Sequence, residues 1–148
     1  MNKERMLLLA DLLEGLPEYK FNMQYWASEW DDEHQEHINQ DDGYVYLSGY
    51  DCTTAGCVAG WAMAMKNDMA IENELEMSSC DIENGAAEYL GLNHIQANDL
   101  FYYGIDSIYA RYAADLGIDR DQLLGDQITK KHASIVVRKV AEGEWSLV

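Results

Sequence analysis

Basic residues are almost missing from the middle of this 148-residue chain: between Lys20 and Arg111 there is one, Lys66, against 17 carboxylates. The formal net charge is -17. A field of that sign repels nucleic acid and anionic membrane and attracts basic protein surfaces, over a screening length of about 8–10 Å. Cysteine is also scarce. Three residues, an odd number, do not make a secreted disulfide framework. No charged stretch followed by an apolar core opens the chain, because Met6-Leu7-Leu8-Leu9-Ala10 runs straight into Asp11. No apolar run approaches the 18 or so residues of a membrane span. The chain therefore reads as soluble and cytoplasmic, with reduced thiols. Pro occurs once, at position 17, and no linker rich in Pro, Gly or Ser divides the sequence.

Nucleotide signatures are absent as well. There is no G-x-x-x-x-G-K-[ST], and no G-x-G-x-x-G opens a helix. Asp31-Asp32-Glu33 and Asp41-Asp42-Gly43 lack the alternating ligand spacing of a calcium loop. Paired carboxylates are too abundant to mark an acid and a base.

What remains is ample apolar material: 48% hydrophobic residues, with 10 Tyr and 4 Trp, enough for a core despite the acidity. The periodicity predicts one mainly α-helical domain of six to eight short helices. Helical spacing covers 3–14, stopped by Gly15 and Pro17. Phe21 to Trp30 suits a second short helix, and Glu29 to Gly43 a solvated loop or frayed helix end. Tyr44-Val45-Tyr46-Leu47 is the one β-type run, large enough for a hairpin. Thr54 to Lys66 is apolar and predicts a buried helix, with Gly56 and Gly60 on one face. Asp81 to Leu90 is a helix with Asp81 as N-cap and Gly91 as its left-handed stop. Asn93 caps a turn through Phe101 with Ile95 and Leu100 inward. Ser107 to Leu116 forms another helix, Asp119 caps a brief one to Leu124, and Thr129 caps the last, 130–141.

The most distinctive local pattern is Asp51-Cys52-Thr53-Thr54-Ala55-Gly56-Cys57-Val58-Ala59-Gly60-Trp61-Ala62. It resembles the C-G-T-x-x-C-x-x-G-W-A signature of small proteins encoded by bacteriophages and prophages. The layout is similar too: Phe21, Met23 and Trp26; Ala87, Leu90, Gly91 and Leu92; Leu100 and Phe101; Thr129, His132, Ala133, Val136 and Arg138. Thr53 departs from the pattern, where Gly is usual. The resemblance implies a viral or mobile-element origin and carries no activity across.

Two chemical readings of this segment stand beside ordinary core packing. A thiol at a helix N-terminus is acidified, so Cys52 or Cys57, with Trp61 nearby and His132 as base, could form a nucleophilic or ligand-binding site. Alternatively His34, His37, Cys52 and Cys57 offer the two nitrogens and two sulfurs of a zinc site, in an order unlike a familiar finger. Neither outweighs the packing role that Cys and Trp usually have, and no cofactor or metal is expected.

The acidity has its own candidate site. Glu29, Asp31, Asp32, Glu33, Glu36, Asp41 and Asp42 cluster instead of alternating with Lys, and Trp30 lies among them. Aromatics can anchor an interface while carboxylates steer approach. Joined to the resemblance, this implies inhibition of a basic, nucleic-acid-binding host protein by mimicry of the phosphate backbone. Solubility alone and a regulatory role in phage expression or assembly are the other readings. Direct DNA binding is opposed by the charge.

Overall fold

The computed structural model describes residues 1–23, 27–31, 36–38, 54–68, 77–123 and 127–148. The protein is mainly α, with seven α-helices among these residues: α1 Lys3–Gly15, α2 Val58–Asn67, α3 Ser79–Leu90, α4 His94–Phe101, α5 Ile108–Arg111, α6 Ala113–Leu116 and α7 Lys130–Ala141. Strands β1 Ala27–Asp31, β2 Glu36–Ile38 and β3 Thr54–Gly56 form a small antiparallel sheet in the order β2-β1-β3.

Helix ends follow local chemistry. Asn2 accepts from the Arg5 N–H at 3.1 Å to start α1. Asn93 and Gln96 form a reciprocal capping box on α4, and Thr129 and His132 form another on α7. Gly91 ends α3 at φ +67°, where a side chain would be strained. A Cβ there would also meet the Asn2 backbone nitrogen at 3.1 Å, because the Asn2 N–H donates to Leu90 O at 2.7 Å. The tight turn thus ties α3 to the start of α1.

Two helix pairs build the core, bridged by α1. The Ala133, Val136, Val137 and Val140 stripe of α7 packs on Met6, Leu9 and Leu13 of α1. Ser134 Oγ crosses that seam to Ala10 O at 2.9 Å, satisfying a buried hydroxyl. On the other side α2 lies against α3. An added Cβ on Gly85 would come within 2.3 Å of Met63 Sδ, so the small residue on α3 sets how closely α2 approaches.

Several sequence expectations are corrected. The helix expected over 21–30 is absent at both described ends: a 3₁₀ turn occupies Glu18–Lys20, Phe21 is extended, and Ala27–Asp31 is the central strand, while 24–26 lie outside the described residues. The Glu29–Asp31 half of β1 pairs with β2 and its Ala27–Glu29 half with β3, and Trp is enriched in strands. The expected loop from Glu29 likewise contains β2. The cysteine segment does not begin a helix at Thr54. Thr54–Gly56 pairs with Ala27–Glu29, Cys57 is extended at φ -82° and ψ -173°, and α2 starts after it. Gly56 is therefore in a strand, off the helical face of Gly60. The cap of α3 is Ser78 rather than Asp81, its side chain accepting from the Asp81 N–H. The helix expected from Ser107 to Leu116 bends at Tyr112, φ -110° and ψ 22°, where its ring stacks on Trp145 at 4.1 Å. Tyr44–Leu47 and Leu124 lie outside the described residues.

Candidate functional site

The acidic cluster divides between described and undescribed chain. Glu29, Trp30 and Asp31 are consecutive in β1, and Glu36 opens β2. Their register sets Asp31 opposite Glu36, Trp30 opposite His37 and Glu29 opposite Ile38. Asp31 and Glu36 as Cα partners bring two acids of one sequence cluster onto neighbouring strands. Asp32, Glu33, Asp41 and Asp42 lie outside the described residues, as do His34 and Cys52.

The thiol candidates fall on separate elements. Cys57 is the N-cap residue of α2, 2% exposed, with no side-chain capping bond. Trp61, one turn on, is half-buried, and its Nε1 donates to Lys20 O at 3.0 Å, pinning α2 to the turn after α1. His132 belongs to the capping box of α7. Its Nδ1 lies 3.0 Å from Gln127 O and 3.2 Å from the Thr129 N–H. That ring nitrogen is engaged in ending a helix, on the helix that packs against α1 rather than in the α2–α3 pair. Cys80, absent from the sequence-based candidates, is exposed in the first turn of α3. Among the described residues no cluster of three or more His, Cys, Asp or Glu side chains is arranged to hold a metal, and no helix is long and apolar enough to cross a membrane.

A second surface feature stands out at the end of α4. Helix α4 buries Ala97, Leu100 and Phe101, the i, i+3, i+4 face. Ile95 is on the opposite face and is 62% exposed, which corrects the expectation that it points inward. Beyond Phe101 the chain leaves the helix through Tyr102, Tyr103, Gly104 and Ile105 before Ser107 caps α5. Those residues, with Ile95 and Val148, surround a groove of about 390 Å³. Five of the eight large hydrophobic side chains exposed among the described residues line it, so the apolar exposure is gathered here rather than scattered.

The groove is held from beneath. The side chain of Asp99, 2% exposed, takes a two-pronged bond from Arg111, Nη1 to Oδ1 at 2.8 Å and Nη2 to Oδ2 at 2.6 Å. Arg111 also donates to Asp106 O at 3.0 Å and Ser146 O at 3.1 Å, and the Val148 N–H donates to Asp99 Oδ2 at 3.2 Å. One ion pair therefore fixes the 102–106 loop and the 146–148 segment against α4. Asp99 raises the Arg111 pKa still further through its hydrogen bond, so the guanidinium stays charged. At the far edge the Tyr102 hydroxyl donates to Glu83 Oε2 at 3.0 Å. Burial, then this bond, pushes the phenol well above its ordinary range. The sequence did carry a signal for the groove: Leu100-Phe101-Tyr102-Tyr103-Gly104-Ile105 continues apolar past the helix break, where the helical period no longer supplies a buried face.

Elsewhere five more basic side chains are turned to the protein's own acceptors. Arg138 reaches Asp11 at 2.8 Å and Glu14 at 3.1 Å, Lys66 reaches Glu88 at 2.6 Å, and Lys139 pairs with Glu144. Lys130 donates to Glu14 O at 2.8 Å, and Arg5 to Tyr89 O at 2.9 Å. The charge left unbalanced over the sequence is negative. No family model, curated protein or solved structure matches the chain.

Proposed function

We propose that this chain is an acidic protein of bacteriophage type that binds and inhibits a basic, nucleic-acid-binding host protein in the host cytoplasm. It does so by presenting carboxylates where phosphates would sit. The observation that carries this reading is the charge distribution: 17 carboxylates against one Lys between Lys20 and Arg111. Its support from the fold is twofold. The basic minority is largely committed to internal acceptors, leaving the acid excess for a partner. Apolar side chains are also gathered at one groove, the kind of surface that protein contacts use. A duplex carries one phosphate per about 1.7 Å of axis, and rows of carboxylates on a folded surface compete for the same basic groove. This reading gives no catalytic role to the thiol segment. Cys57 and Trp61 seat α2, and His132 caps α7.

The test is affinity capture from host lysate at low and high salt with identification by mass spectrometry, followed by competition with duplex DNA. A basic nucleic-acid-binding protein, lost at high salt and displaced by DNA, is the expected result. Capture that ignores both salt and DNA would end the mimicry reading.

A further inference from the structure

We infer that the groove between α4 and the 102–106 loop is an anchor pocket for an aliphatic side chain carried on a lysine- or arginine-flanked segment of a partner protein. The inference rests on the proposed function for the sign of the partner's charge, and adds where the partner's apolar anchor goes.

Shape and lining set the apolar half of the ligand. A volume of about 390 Å³ lies toward the small end of the roughly 300–1,000 Å³ range of binding pockets, room for one or two large side chains. Ile95, Ile105 and Val148 are 62%, 73% and 65% exposed, and Tyr102 and Tyr103 add two rings at 41% and 36%. Tyr and branched aliphatics around a pre-formed concavity are the composition of an interface centre, where fully desolvated anchors contribute most of the energy. The pocket is also pre-organised. Arg111 and Asp99 fix the loop carbonyl of Asp106 and the backbone of Ser146 and Val148, so little ordering is left for binding.

Charge chooses among occupants. The lining side chains that carry charge at neutral pH are Asp99 and Asp106, with no Lys, Arg or His. Arg111 neutralises Asp99 from below, so the exposed Asp106 carboxylate sets the sign at the rim, and Glu83 continues it beyond Tyr102. A second copy of this chain would bring another net charge of -17 to the same face. Repulsion of that size opposes self-association through a small groove, whereas flanking lysines are attracted to it. An anionic lipid surface is repelled for the same reason.

The test uses a fluorescent, end-capped peptide with a central Leu pair flanked by lysines, titrated into the full chain by anisotropy, and into ¹⁵N-labelled protein by NMR. The expected result is saturable binding with amide shifts centred on residues 95–107 and 146–148. Binding falls about tenfold or more when the leucines become Ala, when the lysines become Glu, or when the protein carries Ile105→Ser or Ile95→Ser. Both isoleucines are mostly exposed, so these variants keep the fold, which circular dichroism checks. Shifts centred elsewhere, equal binding of the Glu-flanked peptide, an unchanged affinity in Ile105→Ser, or no binding would each overturn the inference. So would concentration-dependent dimerisation abolished by Ile105→Ser, which would assign the groove to a second copy. Should Ile105→Ser capture a basic host protein as well as wild type does, the groove is wrong and the acidic reading survives. Peptide binding without a basic partner in lysate would give the converse.

Discussion

Single side chains decide more here than the low content of motifs suggests. Asp99 and Arg111 are the clearest case, since one buried carboxylate and one guanidinium hold α4, the 102–106 loop and the 146–148 segment together. Asp99→Ala leaves the Arg111 charge without its partner and should cost about 3 kcal/mol, measured by urea denaturation. A loss below about 1 kcal/mol would show that water replaces the pair. Tyr109 supplies a pH signature. It is fully buried, its hydroxyl donates to Leu100 O at 3.2 Å, and burial raises its pKa far above the ordinary 10.0. The unfolded chain therefore gives up the phenolic proton near pH 10 while the folded chain keeps it. Stability is whole below that pH and falls above it, by up to about 1.4 kcal/mol per pH unit from this group. Tyr109→Phe should flatten that part of the alkaline limb. The thiols give a third readout: brief alkylation of native protein should label exposed Cys80 and spare Cys57, which is 2% exposed. Rapid labelling of Cys57 would return the thiol site to consideration. At this scale the sequence was legible where a residue acts locally. Asn93, Thr129 and Gly91 end their helices as expected, because capping depends on neighbours three or four positions away. The Asp99–Arg111 pair was not legible, as nothing in the order of residues says which of 27 acids an arginine will meet.

Elements show where periodicity informs and where it fails. The α7 stripe Ala133, Val136, Val137, Val140 is buried as its spacing implies, and α1 likewise, because an amphipathic helix needs only one apolar neighbour. The expected helix over 21–30 gives way to a strand at Ala27–Asp31, because a short run containing Trp fits a strand as well as a helix. The choice was made by β2 and β3, one of them some 25 residues away along the chain. Ile95 is exposed despite being apolar, because Ala97, Leu100 and Phe101 already fill the buried face of this short helix. The α2–α3 seam offers a direct check on packing. Gly85→Ala drives a methyl into Met63, at a cost of about 1 kcal/mol because the end of a Met side chain can shift. Combined with Met63→Ala that cost should vanish, giving a coupling of similar size in a double-mutant cycle. Gly91→Ala should be worse, about 1–2 kcal/mol, since φ +67° is strained for any side chain and backbone lies 3.1 Å away.

For the whole molecule, charge and topology act together. A small mainly helical frame pairs several of its basic side chains with its own acids, while the sequence keeps a large acid excess in its middle segment and one apolar groove opens on the surface. The acid excess was visible from composition alone. The groove shows in the sequence only as the apolar run past the end of α4, since its walls come together where α4, a loop and residues 146–148 converge. The seven-acid segment carries the central claim, so the decisive measurement is the affinity of the captured basic partner for wild-type protein and for a variant with Glu29, Asp31, Asp32, Glu33, Glu36, Asp41 and Asp42 changed to their amides. Mimicry of a phosphate backbone predicts a loss of about tenfold or more, together with a weaker dependence on salt. Equal affinity and an unchanged salt dependence would contradict it.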